Sequence, residues 1–172
     1  MEFIFLNNIL RIVQLLWTLL ITALIGNAIA NYHSTSGSGK SAINFTIFVA
    51  VLSWLAAIYG LVASFVSAIA IPIVVLALDS IAVLFTFISA VVLAAKLGAV
   101  NCSHLSGKPS SYIAFGSTNG DQKQCRELQA SDVFMWFLFA CYLATTFFAF
   151  KAFRGSGASL RRGGPSMSQV GV

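Results

Sequence analysis

The sequence predicts an all-α protein built as a bundle of four transmembrane helices. Of its 172 residues, 58% are hydrophobic and only 9% are charged, and the mean hydropathy is +0.89. Soluble domains carry about 25% charged residues, so this composition indicates an integral membrane protein. Polar segments divide the apolar sequence into four stretches, each near the ~20 residues that cross a bilayer as a helix. The net charge of +5 suits contact with anionic lipid.

The basic residues are not interleaved with aromatic residues as they are on nucleic-acid-binding faces. The aromatic residues lie instead within the apolar stretches. The sequence therefore predicts membrane lipids as partners and no nucleic acid.

The first span is predicted over residues 12–32, after a cytosolic N-terminal lead at residues 1–11. No charged residue occurs from Ile12 to Tyr32. A secretory signal peptide is the alternative, because Ala28-Ile29-Ala30 resembles a cleavage site, and cleavage there would leave three spans. The apolar stretch is longer than the ~7–15 residues of a usual signal-peptide core, which favours a retained span.

The second and third spans come from one charge-free stretch that is too long for a single helix. After a polar external loop at residues 33–42, no charge occurs from Ser41 to Leu78. Proline disrupts helix interiors and is tolerated at helix starts, so Pro72 divides the stretch into spans over residues 43–65 and 72–96.

Small residues mark one face of the second span. Ala56, Gly60 and Ser64 follow one another at four-residue spacing. Small residues at this spacing let helix backbones approach closely within a membrane. The pattern therefore predicts a helix–helix contact along this face.

Asp79 is the only charged residue between Ser41 and Ala95. A carboxylate inside a membrane span is costly and normally faces other helices or a water-filled cavity. Helical geometry places Thr86 and small residues on the same side as Asp79, so we expect a buried polar contact involving Asp79 and Thr86. An ion or proton site is the alternative, but transport sites usually combine several polar groups or broken helices.

Residues 97–132 are predicted to form the larger external loop, and residues 133–151 the fourth span. Two cysteines in this loop, Cys102 and Cys125, favour a disulfide in an oxidising compartment. That places the loop outside the cell and both termini in the cytosol. The basic residues are balanced between the two sides and do not decide the orientation.

Metal binding and catalysis are not predicted. Cys102, Cys125, His104 and His33 contain nitrogen and sulfur ligands that zinc prefers, but no CxxC pair is found and a disulfide accounts for the cysteines. Both histidines lie in predicted loops, and no span holds two acids that could share acid–base work. We therefore expect no metal, no cofactor and no enzyme activity.

Residues 153–172 form a basic, glycine-rich segment that is predicted to be a disordered cytosolic tail. Arg154, Arg161 and Arg162 are its candidate contacts with lipid or a partner. Each basic residue near an anionic leaflet contributes about 1 kcal/mol of attraction.

Short motifs along most of the chain resemble those of MARVEL-domain proteins, in particular the fungal non-classical export protein branch. They include Asn7 to Ile12, Leu78-Asp79 with Phe85-Thr86-Phe87, Cys102, Cys125-Arg126, and Ser168 to Val172 at the end. On this resemblance, residues 12–152 form a MARVEL-like four-span domain.

The resemblance implies a multi-pass plasma-membrane protein that organises sphingolipid- and sterol-rich furrow domains, the eisosome-associated compartment. It also implies lipid sensing and a role in unconventional protein secretion. The expected partners are sphingolipid, sterol, anionic inner-leaflet lipid, other plasma-membrane domain proteins and further copies of the chain. Two alternatives stay open: a small ion or proton transporter or channel that uses Asp79, and a trafficking adaptor for protein export.

Overall fold

The computed structural model describes residues 2–31, 37–66, 71–98, 100–105, 112–115 and 121–162. These residues form four α-helices: α1 (Glu2–Ala30), α2 (Gly37–Phe65), α3 (Pro72–Leu97) and α4 (Asp121–Arg162). Each contains a segment long and apolar enough to cross a membrane: Phe5–Ala30, Gly39–Phe65, Pro72–Leu97 and Gln122–Arg154. The predicted four-span helical fold is confirmed.

The four helices pack in a closed ring in the order α1, α2, α3, α4, with α4 returning to α1. In this ring α1 lies opposite α3, and α2 lies opposite α4. Large apolar side chains cover the outside of the ring, among them Leu55, Leu84, Phe137 and Phe147. Exposed apolar surface of this kind suits lipid, whereas the inner faces bury small, aliphatic and polar residues.

Helix α1 begins ten residues earlier than the predicted span. The two starts differ because the sequence analysis placed Arg11 at the membrane surface. In the structure Arg11 lies within α1 and is only 1% exposed. Its charge is balanced by a partner on another helix, so it does not end the span. The described residues of the predicted lead, from residue 2 onward, therefore belong to the same helix as the predicted first span.

Helix α3 follows the predicted span closely. Pro72 occupies the start of the helix, where its missing N–H costs nothing and its fixed φ suits the first turn. At the other end Gly98 has φ +62° and donates its N–H to Ala94 O, a backbone conformation that favours glycine.

Two helices start inside segments that were predicted to be loops. α2 begins at Gly37, within the predicted loop 33–42, and α4 begins at Asp121, within the predicted loop 97–132. The start of α4 contains good helix formers such as glutamine, lysine, glutamate and leucine. Its Cys125 and Leu128 are fully buried, so packing stabilises these polar first turns.

Helix α4 also continues past the predicted span, to Arg162. Lys151 lies over the Phe147 ring and Arg154 over the Phe150 ring, at 4.7 and 5.0 Å from the centroids. Such contacts between residues four apart support a helix. The predicted tail 153–172 is therefore helical as far as residue 162, and residues 163–172 lie outside the described part of the chain.

Candidate functional site: the buried polar axis

The centre of the bundle contains an ion pair between Arg11 on α1 and Asp79 on α3. Arg11 Nη1 donates to Asp79 Oδ1 at 2.7 Å, and Nη2 donates to Oδ2 at 2.6 Å. Both side chains are 1% exposed. This bidentate geometry matches the planar guanidinium to the planar carboxylate, and it joins two helices that lie opposite each other in the ring.

A regular face of α1 carries Arg11 into the core. Arg11, Gln14, Thr18, Ile21 and Ile25 are all fully buried or nearly so, and they recur every three or four residues, the spacing of one helix face. The sequence analysis missed this role because it treated Arg11 as an interfacial charge. The polar stripe of Arg11, Gln14 and Thr18 ahead of two isoleucines was the available signal.

Gly60 on α2 leaves the space that the guanidinium needs. A Cβ at position 60 would lie against the guanidinium of Arg11, 2.8 Å from Nη1 and still closer to Cζ and Nε. The small residues that predicted a close helix contact on α2 therefore serve a second purpose. At Gly60 the absent side chain is replaced by the arginine head group of α1.

Further hydrogen bonds extend the polar contacts along the bundle. Gln14 Nε2 on α1 donates to Thr145 Oγ1 on α4 at 3.1 Å, and Tyr142 Oη on α4 donates to Ser53 O on α2 at 2.6 Å. Ser89 Oγ on α3 donates to Thr46 Oγ1 on α2 at 3.2 Å, and Trp54 Nε1 on α2 donates to Thr22 Oγ1 on α1 at 3.1 Å. Both opposite helix pairs are thus bridged by polar contacts. We call this set, together with Arg11–Asp79, the polar axis.

Thr86, predicted together with Asp79 to form a buried polar contact between helices, makes its hydrogen bonds within its own helix. It is fully buried on the same face of α3, but its hydroxyl bonds to the carbonyl oxygens of Ala82 and Val83 in its own helix. Threonine hydroxyls in helices commonly bond in this way. Asp79 lies instead beside Arg11 and Thr145.

The described residues of the predicted larger loop lie at the end of the bundle away from the Arg11–Asp79 pair. Cys102 and Cys125 form a disulfide that ties the segment after α3 to the first turns of α4. Tyr112 Oη donates to Leu97 O at 2.7 Å, and Gln129 Nε2 donates to Val100 O at 2.9 Å. Burial raises the pKa of the Tyr112 phenol, so it remains a neutral donor. These contacts hold the described parts of the loop against the helix ends.

Within the described residues, no group of three or more histidine, cysteine or acidic side chains could hold a metal ion. Cys102 and Cys125 are joined to each other, His104 is exposed, and His33 lies outside the described residues. Arg154 stacks on Phe150. The backbone of Arg161 and Arg162 ends α4, but their side chains are not among those described.

The ion pair is a buried structural contact between α1 and α3. Two opposite charges that are buried away from water stabilise each other. Removing one partner of such a pair typically lowers the free energy of unfolding by about 3–5 kcal/mol. The arrangement fixes the mutual position of α1 and α3 within the ring.

A closed ring of four spanning helices around such an axis defines a four-span membrane domain. The MARVEL family, described as a membrane-associating domain, matches residues 3–148, and this protein belongs to that family. The match includes α1 with Arg11 and α3 with Asp79.

Two relatives from Saccharomyces cerevisiae are similar over most of their length. Non-classical export protein 2 is 31% identical over 176 aligned positions, which cover 95% of this chain and 97% of the relative. Non-classical export protein 2 homolog 1 is 28% identical over 138 positions, covering 80% and 74% respectively. No solved structure matches the chain.

Proposed function

We propose that this protein is a non-enzymatic organiser of plasma-membrane domains rich in sphingolipid and sterol, the eisosome-associated furrows of fungi. The observation that carries the proposal is the division of the bundle into a buried polar axis, whose two charges are paired with each other, and an apolar outer surface. The charges of Arg11 and Asp79 are paired with each other, so the surface offered to the surroundings is that of lipid-facing helices. Membership of the MARVEL membrane-associating family supports this function.

In the proposed arrangement both termini face the cytosol and the Cys102–Cys125 disulfide lies outside. The disulfide supports this orientation, because such bonds persist in oxidising compartments. Arg154, Arg161 and Arg162 then lie at the inner leaflet, where anionic lipid attracts them. Changes in lipid packing around the ring alter the helix arrangement, and α4 carries that change to its basic end.

Live imaging of the full chain with a C-terminal fluorescent tag tests this proposal. The expected result is stable surface patches that disperse when sphingolipid synthesis is blocked. The matched control is a single-span protein of the same membrane, tagged in the same way, whose distribution should not change. A uniform or internal signal that is indifferent to sphingolipid would refute the organiser function.

The alternative of an Asp79-based transporter or channel is disfavoured by the ion pair. A carboxylate held by two hydrogen bonds from a buried arginine is not free to exchange protons or ions without breaking a costly pair. A transporter predicts that Asp79→Asn abolishes flux in proteoliposomes while folding is unaffected. We expect instead no flux from the unchanged protein and a loss of folding in the variant.

A role in protein export is the second candidate, and the names of the two yeast relatives favour it. An adaptor would hold cargo at the external loop or at the basic end of α4. Deleting the gene and measuring secretion of proteins that lack signal peptides tests this role. Export that fails in the deletion strain, while patches of another tagged plasma-membrane domain protein persist, would support the adaptor over the organiser.

A further inference from the structure

A cavity of about 360 Å³ opens between the four helices at the end of the bundle next to the Arg11–Asp79 pair. Pro72, at the start of α3, lies at its rim, and Arg11 is part of its wall. Asp79 lies two helical turns beyond Pro72, about 10 Å along α3. The volume falls within the range of small-molecule pockets, ~300–1,000 Å³.

The wall of the cavity is mostly apolar; besides Asn7 and Ser64 its polar part is Arg11, which has one unused donor. Ala63, Val75, Phe148 and Ala149 supply apolar surface. Arg11 uses Nη1 and Nη2 for Asp79, while its Nε is buried and has no hydrogen-bond partner. An unpaired buried donor is rare and costly, so it indicates a group that completes the site.

Gly60 lies directly beside this donor. Gly60 lines the same cavity, and its missing Cβ would otherwise lie against the Nε edge of the guanidinium. The missing Cβ of Gly60 therefore lets the guanidinium, with its unpaired Nε, lie at the wall of the cavity.

The position of the cavity indicates that its occupant comes from the bilayer. Every residue that lines it belongs to one of the four candidate membrane spans. The rim therefore lies where lipid chains and the carbonyl groups next to them are abundant. A mostly apolar wall with one unpaired buried donor matches a hydrocarbon chain that carries an acceptor oxygen.

We propose that this cavity binds one lipid chain, and that a neutral carbonyl oxygen of the lipid, from an ester or amide, accepts a hydrogen bond from Arg11 Nε. An anionic group fits less well, because Asp79 already balances the charge of Arg11 and one remaining donor does not compensate a second buried anion. A neutral carbonyl needs only that one donor.

This proposal specifies a lipid contact within the proposed function. It depends on that function only in placing the protein in a bilayer. The test uses the purified full chain in phosphatidylcholine nanodiscs and a lysophosphatidylcholine with a photoreactive diazirine in its single ester-linked chain. Crosslinked residues are mapped by peptide mass spectrometry. The ether-linked analogue keeps the chain and the phosphate but lacks the carbonyl. We expect labelling of the ends of α2 and α4 that line the cavity, reduced about fivefold with the ether analogue, as for the loss of one hydrogen bond.

Three variants separate the cavity from the outer surface. Arg11→Lys keeps a cation for Asp79 but lacks Nε, so ester labelling should fall to the ether level. Ala149→Leu fills the cavity and should reduce labelling by both probes. Ala77→Leu is the matched control, because Ala77 is exposed on α3, and it should leave labelling unchanged. If Arg11→Lys does not fold, the comparison of ester and ether probes on the unchanged protein decides the carbonyl bond, and Ala149→Leu decides the site.

Equal labelling by both probes would refute the carbonyl bond and would point to the phosphate or to the chain alone. Labelling that is insensitive to Ala149→Leu, or absent from the cavity, would refute the site and leave water as the partner of Nε. Loss of the site with intact surface patches would leave the organiser function standing, whereas labelling that persists without patches would refute only the organiser function.

Discussion

Arg11 and Asp79, separated by 68 positions in the sequence, meet across the centre of the helix ring through two hydrogen bonds of 2.7 and 2.6 Å. Their helices are not neighbours in the ring, so the pair acts across the bundle axis. This makes the pair a determinant of how the four helices are arranged, and it explains why a lone acid can be retained within α3.

Removing either partner of the pair should destabilise the protein strongly. Arg11→Ala or Asp79→Ala leaves one buried charge uncompensated, and we expect a loss of about 3–5 kcal/mol of unfolding free energy. Asp79→Asn should also be destabilising, because an amide does not balance the arginine charge. Denaturant unfolding of the purified protein in detergent, followed by Trp fluorescence, measures the effect.

The control is the double variant Arg11→Met with Asp79→Leu, which removes both charges. We expect it to be more stable than either single variant, since apolar replacements of a buried pair are often neutral. Single variants with unchanged stability would contradict the assignment of this contact.

Gly60→Ala should disrupt the pair without altering either charged residue. The added Cβ would lie against the Arg11 guanidinium, so the arginine must move and its bonds to Asp79 weaken. We expect a destabilisation of about 1–3 kcal/mol, the usual cost of overpacking a well-packed core. Thermal unfolding in detergent measures the loss.

Gly26→Ala is the matched control, because a Cβ at position 26 meets nothing within 4 Å. Both substitutions make the same chemical change within a helix, so a difference between them reports the surroundings. Equal midpoints for the two variants would show that Arg11 does not depend on the space at Gly60.

The Cys102–Cys125 disulfide should stabilise the end of the bundle that lies away from the Arg11–Asp79 pair. In the chain-entropy model, a loop closed across a separation of 23 residues contributes about 3 kcal/mol. Cys102→Ser with Cys125→Ser should lower the unfolding midpoint, and Cys141→Ala, at the one free cysteine among the described residues, should lower it much less.

The same cysteines report the orientation. In intact cells treated with a membrane-impermeant reductant, a membrane-impermeant maleimide should label the unchanged protein, and the Cys102→Ser, Cys125→Ser variant should not react. Labelling that requires broken cells would place this loop in the cytosol and reverse the proposed orientation.

Arg161→Ala with Arg162→Ala should weaken assembly into surface patches. Each arginine near an anionic leaflet contributes about 1 kcal/mol, so the pair accounts for a substantial share of the attraction at the end of α4. Quantitative imaging of patch number and lifetime measures the effect. Lysine at both positions retains the charge and should preserve the patches, and unchanged patches in the alanine variant would exclude these residues from assembly.

The sequence was most informative where the free energy of transferring a segment from water to lipid depends on its own residues and not on what it packs against. Low charge and long apolar stretches predicted four membrane helices, and both the fold class and the MARVEL family are confirmed. The boundaries were less predictable, because Arg11 and the polar start of α4 resemble surface segments until their burial is known. Hydropathy measures the average preference of a segment for lipid over water. The residue at which a helix begins, such as Asp121 in α4, depends instead on what Cys125 and Leu128 pack against.

The sequence by itself determined that this chain enters a membrane and that Asp79 turns away from lipid, because solvation of apolar chains and charges is a local property of each residue. Only the tertiary structure decided that the partner of Asp79 is Arg11, that Thr86 bonds within its own helix, and that Gly60 makes room for a guanidinium. Those outcomes depend on the rotation and spacing of four helices about a common axis. Pairing across such an axis is a property of the packed bundle, since no single helix contains both partners.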